Sequence, residues 1–179
     1  MKTNSQFSFI LLGLILFIFI SVNSFSQINW EKYEGNPVME GLNGTWFQHV
    51  IPMDILYEDE QFKMWFTGFD GVDNQVGYAD SEDGLLWNML PDPVIPSGQP
   101  GEWDRLKSPT TMIRINDTLR MWYHGSTDGN SNFAIGYGWS VNEHEWNFHP
   151  DPVLDIGAGN AWDNSLVYYP SVYFDGTLY

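Results

Sequence analysis

Three aspartates, one histidine and three tryptophans stand out for the chemistry that their types and surroundings allow. Asp54 lies among the apolar residues Ile51, Met53 and Ile55. A carboxylate held among apolar groups is costly unless it is paired or put to use, and burial raises its pKa toward the range where it can trade a proton. Asp54 is therefore a candidate base or nucleophile, the other reading being an end-of-strand aspartate satisfied by backbone N–H groups. Asp104 and Asp163 directly follow Trp103 and Trp162. They are candidates for a second catalytic acid, although a recurring aspartate also fits a loop-capping role. His49, three residues before Pro52, is a candidate hydrogen-bonding partner for a ligand near Asp54, or an ordinary loop histidine. Trp46, Trp103 and Trp162 sit in glycine-rich loops, where an indole face can stack on a flat ligand; their recurrence also fits packing. Arg105 and Lys107 can hold an anion or pair with a neighbouring acid. The four histidines share no common spacing, so no metal or other cofactor is expected.

The elements that must position these residues are set by a repeat. Trp46, Trp103 and Trp162 are spaced by 57 and 59 residues. Pro52 and Pro109, Trp65 and Trp122, and Gly68 and Gly125 are each 57 apart, and Gly77-Tyr78 and Trp87 recur 59 later as Gly136-Tyr137 and Trp146. Within one repeat the pattern predicts four short strands, over Ile51–Tyr57, Gln61–Thr67, Gln75–Ala79 and Leu86–Leu90. Asp59-Glu60, Asp70-Gly71 and Asp83-Gly84 supply the turns between them. No helical window of useful length is present. Four antiparallel strands per repeat, stacked by repetition, describe a β-propeller. Trp30 lies 57 before Trp87, so 27–40 is expected to be a ring-closing fourth strand, followed by blade 1 (41–95), blade 2 (96–154) and the start of blade 3 (155–179). Two and a half blades are fewer than the typical 4–8, which leads us to expect an N-terminal fragment.

Composition narrows the function classes. Twenty-three acidic side chains against seven Lys and Arg give a formal net charge of −16, which disfavours nucleic acid and anionic membrane surfaces as partners. The absence of cysteine excludes a disulfide framework and thiolate chemistry. Lys2 precedes the apolar stretch Phe9–Ile20, and Ser24 and Ser26 supply small residues for cleavage after Ser26. Residues 1–26 are therefore expected to be a signal peptide of an exported, secreted or periplasmic bacterial protein, with an uncleaved anchor as the other reading.

Asn36-Pro37-Val38, Phe62-Lys63-Met64-Trp65-Phe66-Thr67-Gly68, Gly77-Tyr78-Ala79 and Ser81-Glu82-Asp83-Gly84-Leu85-Leu86-Trp87 resemble the five-bladed β-propellers of the arabinanase, levansucrase and invertase superfamily of glycoside hydrolases. Five blades at this period take about 290 residues. The stretch Ser81 to Trp87 also resembles the Asp-box hairpin of sialidases, in which the carboxylate is a turn device, and its second copy, Ser140 to Trp146, carries Asn142 in the aspartate position.

The superfamily resemblance implies an exported carbohydrate-active protein, acting as a glycoside hydrolase on poly- or oligosaccharides, with a non-catalytic glycan-binding propeller as the alternative. It implies that Asp54, Asp104 and Asp163 are to be weighed as catalytic acids, and that His49, Trp46, Trp103 and Trp162 are to be weighed as sugar contacts. It also implies three acids one or two residues before inner-strand prolines. The residues in those places are Ile51, Ser108, Tyr169 and Tyr168, and none is acidic. The partial ring alone is expected to be inactive.

Overall fold

The computed structural model describes residues 29–179 and separates Met1–Glu34 from a larger unit, Gly35–Tyr179. The signal-peptide segment lies outside the described residues. All eight strands belong to the larger unit, and no helix occurs among the described residues. They are β1 His49–Glu58, β2 Gln61–Phe69, β3 Asn74–Ser81, β4 Asn88–Met89, β5 Leu106–Ile115, β6 Thr118–Ser126, β7 Ala134–Ser140 and β8 Asn147–Phe148. They form two antiparallel sheets of identical order, β1-β2-β3-β4 and β5-β6-β7-β8, so the chain contains two propeller blades.

The repeat sets the same register in both sheets. Pro52 pairs with Phe66 and Pro109 with Tyr123, and each inner strand then slips by one residue at a bulge, at Met53 and at Thr110. Proline cannot donate a ladder hydrogen bond, so an edge strand with a bulge is where it is tolerated. Asp59 and Glu60 both take positive φ, as the tight hairpin between β1 and β2 requires. The second strand of each blade is buried on both faces. Met64 and Phe66 pack with Trp46, Phe47, Val50, Trp87 and Met89 on one side. On the other, Trp65, Val76, Tyr78 and Ile95 meet Met112, Leu119, Met121 and Tyr123 of the second blade.

Three segments depart from expectation. The fourth strand is two residues long rather than the five of Leu86–Leu90, because the preceding turn captures the chain first. Ser81 Oγ accepts the N–H groups of Asp83 and Gly84, Asp83 accepts those of Leu85 and Leu86, and the Trp87 indole donates to the Gly84 carbonyl. Ser140, Asn142 and Trp146 repeat the arrangement. The segment 27–40 forms no strand among its described residues, and 155–179, expected to open a third blade, also contains none. A strand needs a neighbouring strand to satisfy its ladder, and neither segment has one.

At the end where β1 and β5 finish, the blades are clamped by charge. Glu143 receives Lys63 at 2.8 Å and Arg114 at 2.5 Å, and Arg114 also reaches Glu58 at 2.8 Å. Burial pushes the Glu143 carboxyl up, but the hydrogen bonds and charges of Lys63 and Arg114 outweigh it and hold its pKa below the ordinary value. The unfolded chain therefore takes up this proton first as pH falls. The stability that the clamp supplies is present above the ordinary glutamate pKa and is lost as pH drops through the lower, folded value. A melting temperature followed from pH 7 to pH 3 should fall steeply in the parent chain and less steeply in Glu143→Gln; parallel curves would remove Glu143 from the acid response.

Candidate functional site

The end where β1 and β5 begin holds a cleft of about 300 Å³ between the two blades. Its walls are Ile51 of β1, Phe69, Val72 and Asn74 around the β2–β3 turn, Leu106 of β5, and Asp128 to Asn130 of the β6–β7 turn. The acidic turns are shaped by their own carboxylates. Asp70 accepts the N–H groups of Val72 and Asp73, and Asp128 accepts those of Asn130 and Ser131. These bonds hold both carboxyls below the ordinary aspartate pKa. Asn74 reaches Ser108 at 3.4 Å across the blade boundary, and Arg105 reaches Asp73 at 2.5 Å. Small-ligand sites combine apolar walls with polar groups fixed by backbone geometry; this cleft has a mixed polar and apolar lining, and its volume falls at the low end of that class.

The residues singled out in the sequence do not gather at this cleft. Asp54 is turned by the β1 bulge toward the inner strand of the next blade. Its carboxylate accepts the N–H of Ile55 at 2.9 Å and that of Met112 at 2.5 Å. Burial raises its pKa, and the two N–H bonds oppose that rise. Thr111 holds the same slot in β5 and makes the same kind of link: its hydroxyl donates to the Pro170 carbonyl and accepts the Val172 N–H. Asp54 therefore ties one inner strand to the next. Asp54→Thr is expected to melt within a few degrees of the parent, whereas Asp54→Ala should lose about 1–2 kcal/mol by orphaning the Met112 N–H. A folded Asp54→Thr that lost sugar-releasing activity a thousandfold would instead make Asp54 catalytic.

Asp104 is buried inside blade 2. Tyr123 donates its hydroxyl to the carboxylate at 2.5 Å, and Lys107 lies 3.3 Å from the same oxygen while donating to the Asp104 carbonyl. Burial and the adjacent carboxylate both push the Tyr123 hydroxyl pKa up. In blade 1 the same three slots hold Phe47, Phe66 and Val50, packed as an apolar group. The spacing of 57 residues makes the exchange legible: Phe47 becomes Asp104, Val50 becomes Lys107 and Phe66 becomes Tyr123. Lys107 and Tyr123 are the partners that reading Asp104 alone does not reveal.

Trp46 and Trp103 have equivalent seats. Their indoles donate to the carbonyls of Pro91 and Pro150, and their rings stack on Phe66 and Tyr123 at interplanar angles of 11° and 16°. Both are occupied in packing. Trp162 differs, being 96% exposed, and Asp163 beside it is half-buried. His49 is exposed at the start of β1, its ring 6.1 Å from that of Phe69, which lines the cleft. A further histidine, His124, is buried among Phe133, Tyr168 and Tyr169; burial pushes its pKa down to about 4, so it is neutral. No group of three or more potential metal ligands is clustered among the described residues.

No protein-family model matches the sequence, and no curated protein matches it. Solved structures do share its architecture. A glycosyl hydrolase from Bacteroides ovatus superposes with a TM-score of 0.59 at 18% identity, over 72% of this chain and 42% of its own. The fold is that of the glycoside-hydrolase propellers. A member of the GH130 family, described as mannoside phosphorylases that include glycoside hydrolases targeting β-1,2 mannosidic linkages in Candida mannan, gives 0.58 at 20% identity over 76% and 43%. A family 117 glycoside hydrolase from Zobellia galactanivorans gives 0.55 at 14% over 71% and 46%. This propeller chain spans less than half the length of each.

Proposed function

We propose that the chain belongs to an exported carbohydrate-active protein of the glycoside-hydrolase propeller type, acting on poly- or oligosaccharides. The reading rests on one observation: solved structures that share this pair of blades are glycoside hydrolases, or belong to a family of glycoside phosphorylases and hydrolases. Fold likeness is an analogy for function, and a cleft of small-ligand size between blades 1 and 2 supports the reading. Export is supported by the charged start, the apolar run Phe9–Ile20 and the small residues Ser24 and Ser26. A second reading, a propeller that binds glycans without cleaving them, is favoured by the engagement of Asp54 and Asp104 in structural bonds.

The two separate in one assay. The purified full-length protein is run through affinity gels containing a panel of polysaccharides and incubated with the same panel, with and without inorganic phosphate. Release of reducing sugar or sugar phosphate supports the enzyme. Retention without release supports the binding protein, and neither retention nor release by the folded chain would remove the glycan reading altogether.

A further inference from the structure

We infer that the cleft selects uncharged sugar chains, and that Asp73 makes it selective by neutralising the Arg105 cation at its rim. The inference rests on the proposal that the cleft takes a glycan. Arg105 immediately precedes Leu106, and Asp73 lies between Val72 and Asn74; all three of these neighbours line the cleft. The guanidinium lies 2.5 Å from the Asp73 carboxylate, and each side chain is about a quarter exposed. The contact engages one N–H of the guanidinium, and the carboxylate beside it offsets the positive charge.

The remaining Lys and Arg side chains of Gly35–Tyr179 have partners elsewhere. Lys107, just after Leu106, is folded down onto Asp104, with its ammonium 5.1 Å from the centre of the Phe148 ring. Lys63 and Arg114 serve the clamp with Glu58 and Glu143 at the opposite end of the blades. Arg120 donates to the Tyr137 hydroxyl and lies over the Tyr179 ring. Thus, among the described residues of Gly35–Tyr179, no Lys or Arg faces the cleft without a partner already beside it. Asp128, an acid, is among the residues that line it. An anionic sugar brought there would meet like charge, and giving up its water would gain no ion pair in return. A neutral sugar finds what it needs: amide groups at Asn74 and Asn130 for its hydroxyls, and Ile51, Phe69 and Leu106 for its C–H faces.

The test uses a matched pair of probes at pH 8, where histidine is neutral. These are the neutral polysaccharide that the folded chain retains best and the carboxymethylated derivative of the same polymer. At low salt the derivative should bind about tenfold or more weakly than its parent, and the gap should narrow in 0.3 M salt as the repulsion is screened. Asp73→Asn, which frees Arg105, should close or reverse the gap, and adding Arg105→Gln to it should reopen the gap. Circular dichroism confirms that each variant is folded. Equal or tighter binding of the derivative by the parent chain overturns the inference, as does an Asp73→Asn that leaves the gap unchanged. Retention of anionic polymers alone would overturn charge selection while leaving the glycan reading intact. Retention of none would overturn the glycan reading itself. If Asp73→Asn does not fold, Arg105→Gln alone should deepen or preserve the discrimination, and a loss of discrimination would count against the proposal.

Discussion

Replacing Asp104 with alanine is expected to cost about 3–5 kcal/mol of unfolding free energy, because it strips a buried cation of its counter-charge. Lys107 and Asp104 are both nearly enclosed, with side-chain exposures of 9% and 11%, so water cannot replace what the substitution removes. The Tyr123 hydroxyl loses its acceptor at the same time, and a buried unpaired donor carries its own penalty. Blade 1 supplies the control. The triple variant Asp104→Phe, Lys107→Val and Tyr123→Phe installs the residues that fill the same slots there, and it should recover most of the loss, since a well-packed apolar group commonly equals a buried ion pair. Urea unfolding of the single and triple variants measures both outcomes. A single variant within 1 kcal/mol of the parent would show that the Asp104 cluster does not hold blade 2 together.

Trp65→Ala should cost a similar amount, about 3–5 kcal/mol, for a different reason. The side chain is fully buried between the blades, edge-on to both Tyr78 and Trp146, and alanine leaves a cavity that two sheets must share. The informative companion is Trp65→Phe. The indole nitrogen is buried without a hydrogen-bond partner, so phenylalanine removes an unsatisfied donor along with part of the ring. Its net cost should be a fraction of the alanine cost. Calorimetry of the two variants decides the matter: a Trp65→Phe as damaging as Trp65→Ala would mean that the indole N–H is satisfied after all.

The sequence made the blades legible because each strand repeats its tryptophans, prolines and glycines at nearly fixed spacing. Trp65 and Trp122, or Gly77 and Gly136, mark the same places in both sheets. What it could not show was the direction of a side chain at a bulge. Asp54 reads as an acid stranded on an apolar strand, yet the slip after Pro52 aims it at a backbone N–H of the neighbouring blade. The comparison with Thr111 carried the clue, since hydroxyl and carboxylate share the ability to accept that bond. Strand four was overextended for a related reason, because the hydrogen bonds of Ser81 and Asp83 are local and leave no mark on hydrophobic alternation. Asp73 and Arg105 are 32 residues apart, and nothing in their local pattern foretells the pair.

The polar ties between the blades are spread along the inner strands: Arg105 to Asp73 beside the cleft, Asp54 to Met112 partway along, and the Glu58–Arg114–Glu143–Lys63 group at the far end. A ten-residue strand is roughly 30 Å long, so the outer two ties act on a long lever with apolar packing filling the span. Opening the cleft by rocking one blade against the other would have to stretch the near tie or compress the far one. The gap is thus held at one width, and a ligand of matching size would not have to reshape it on entry.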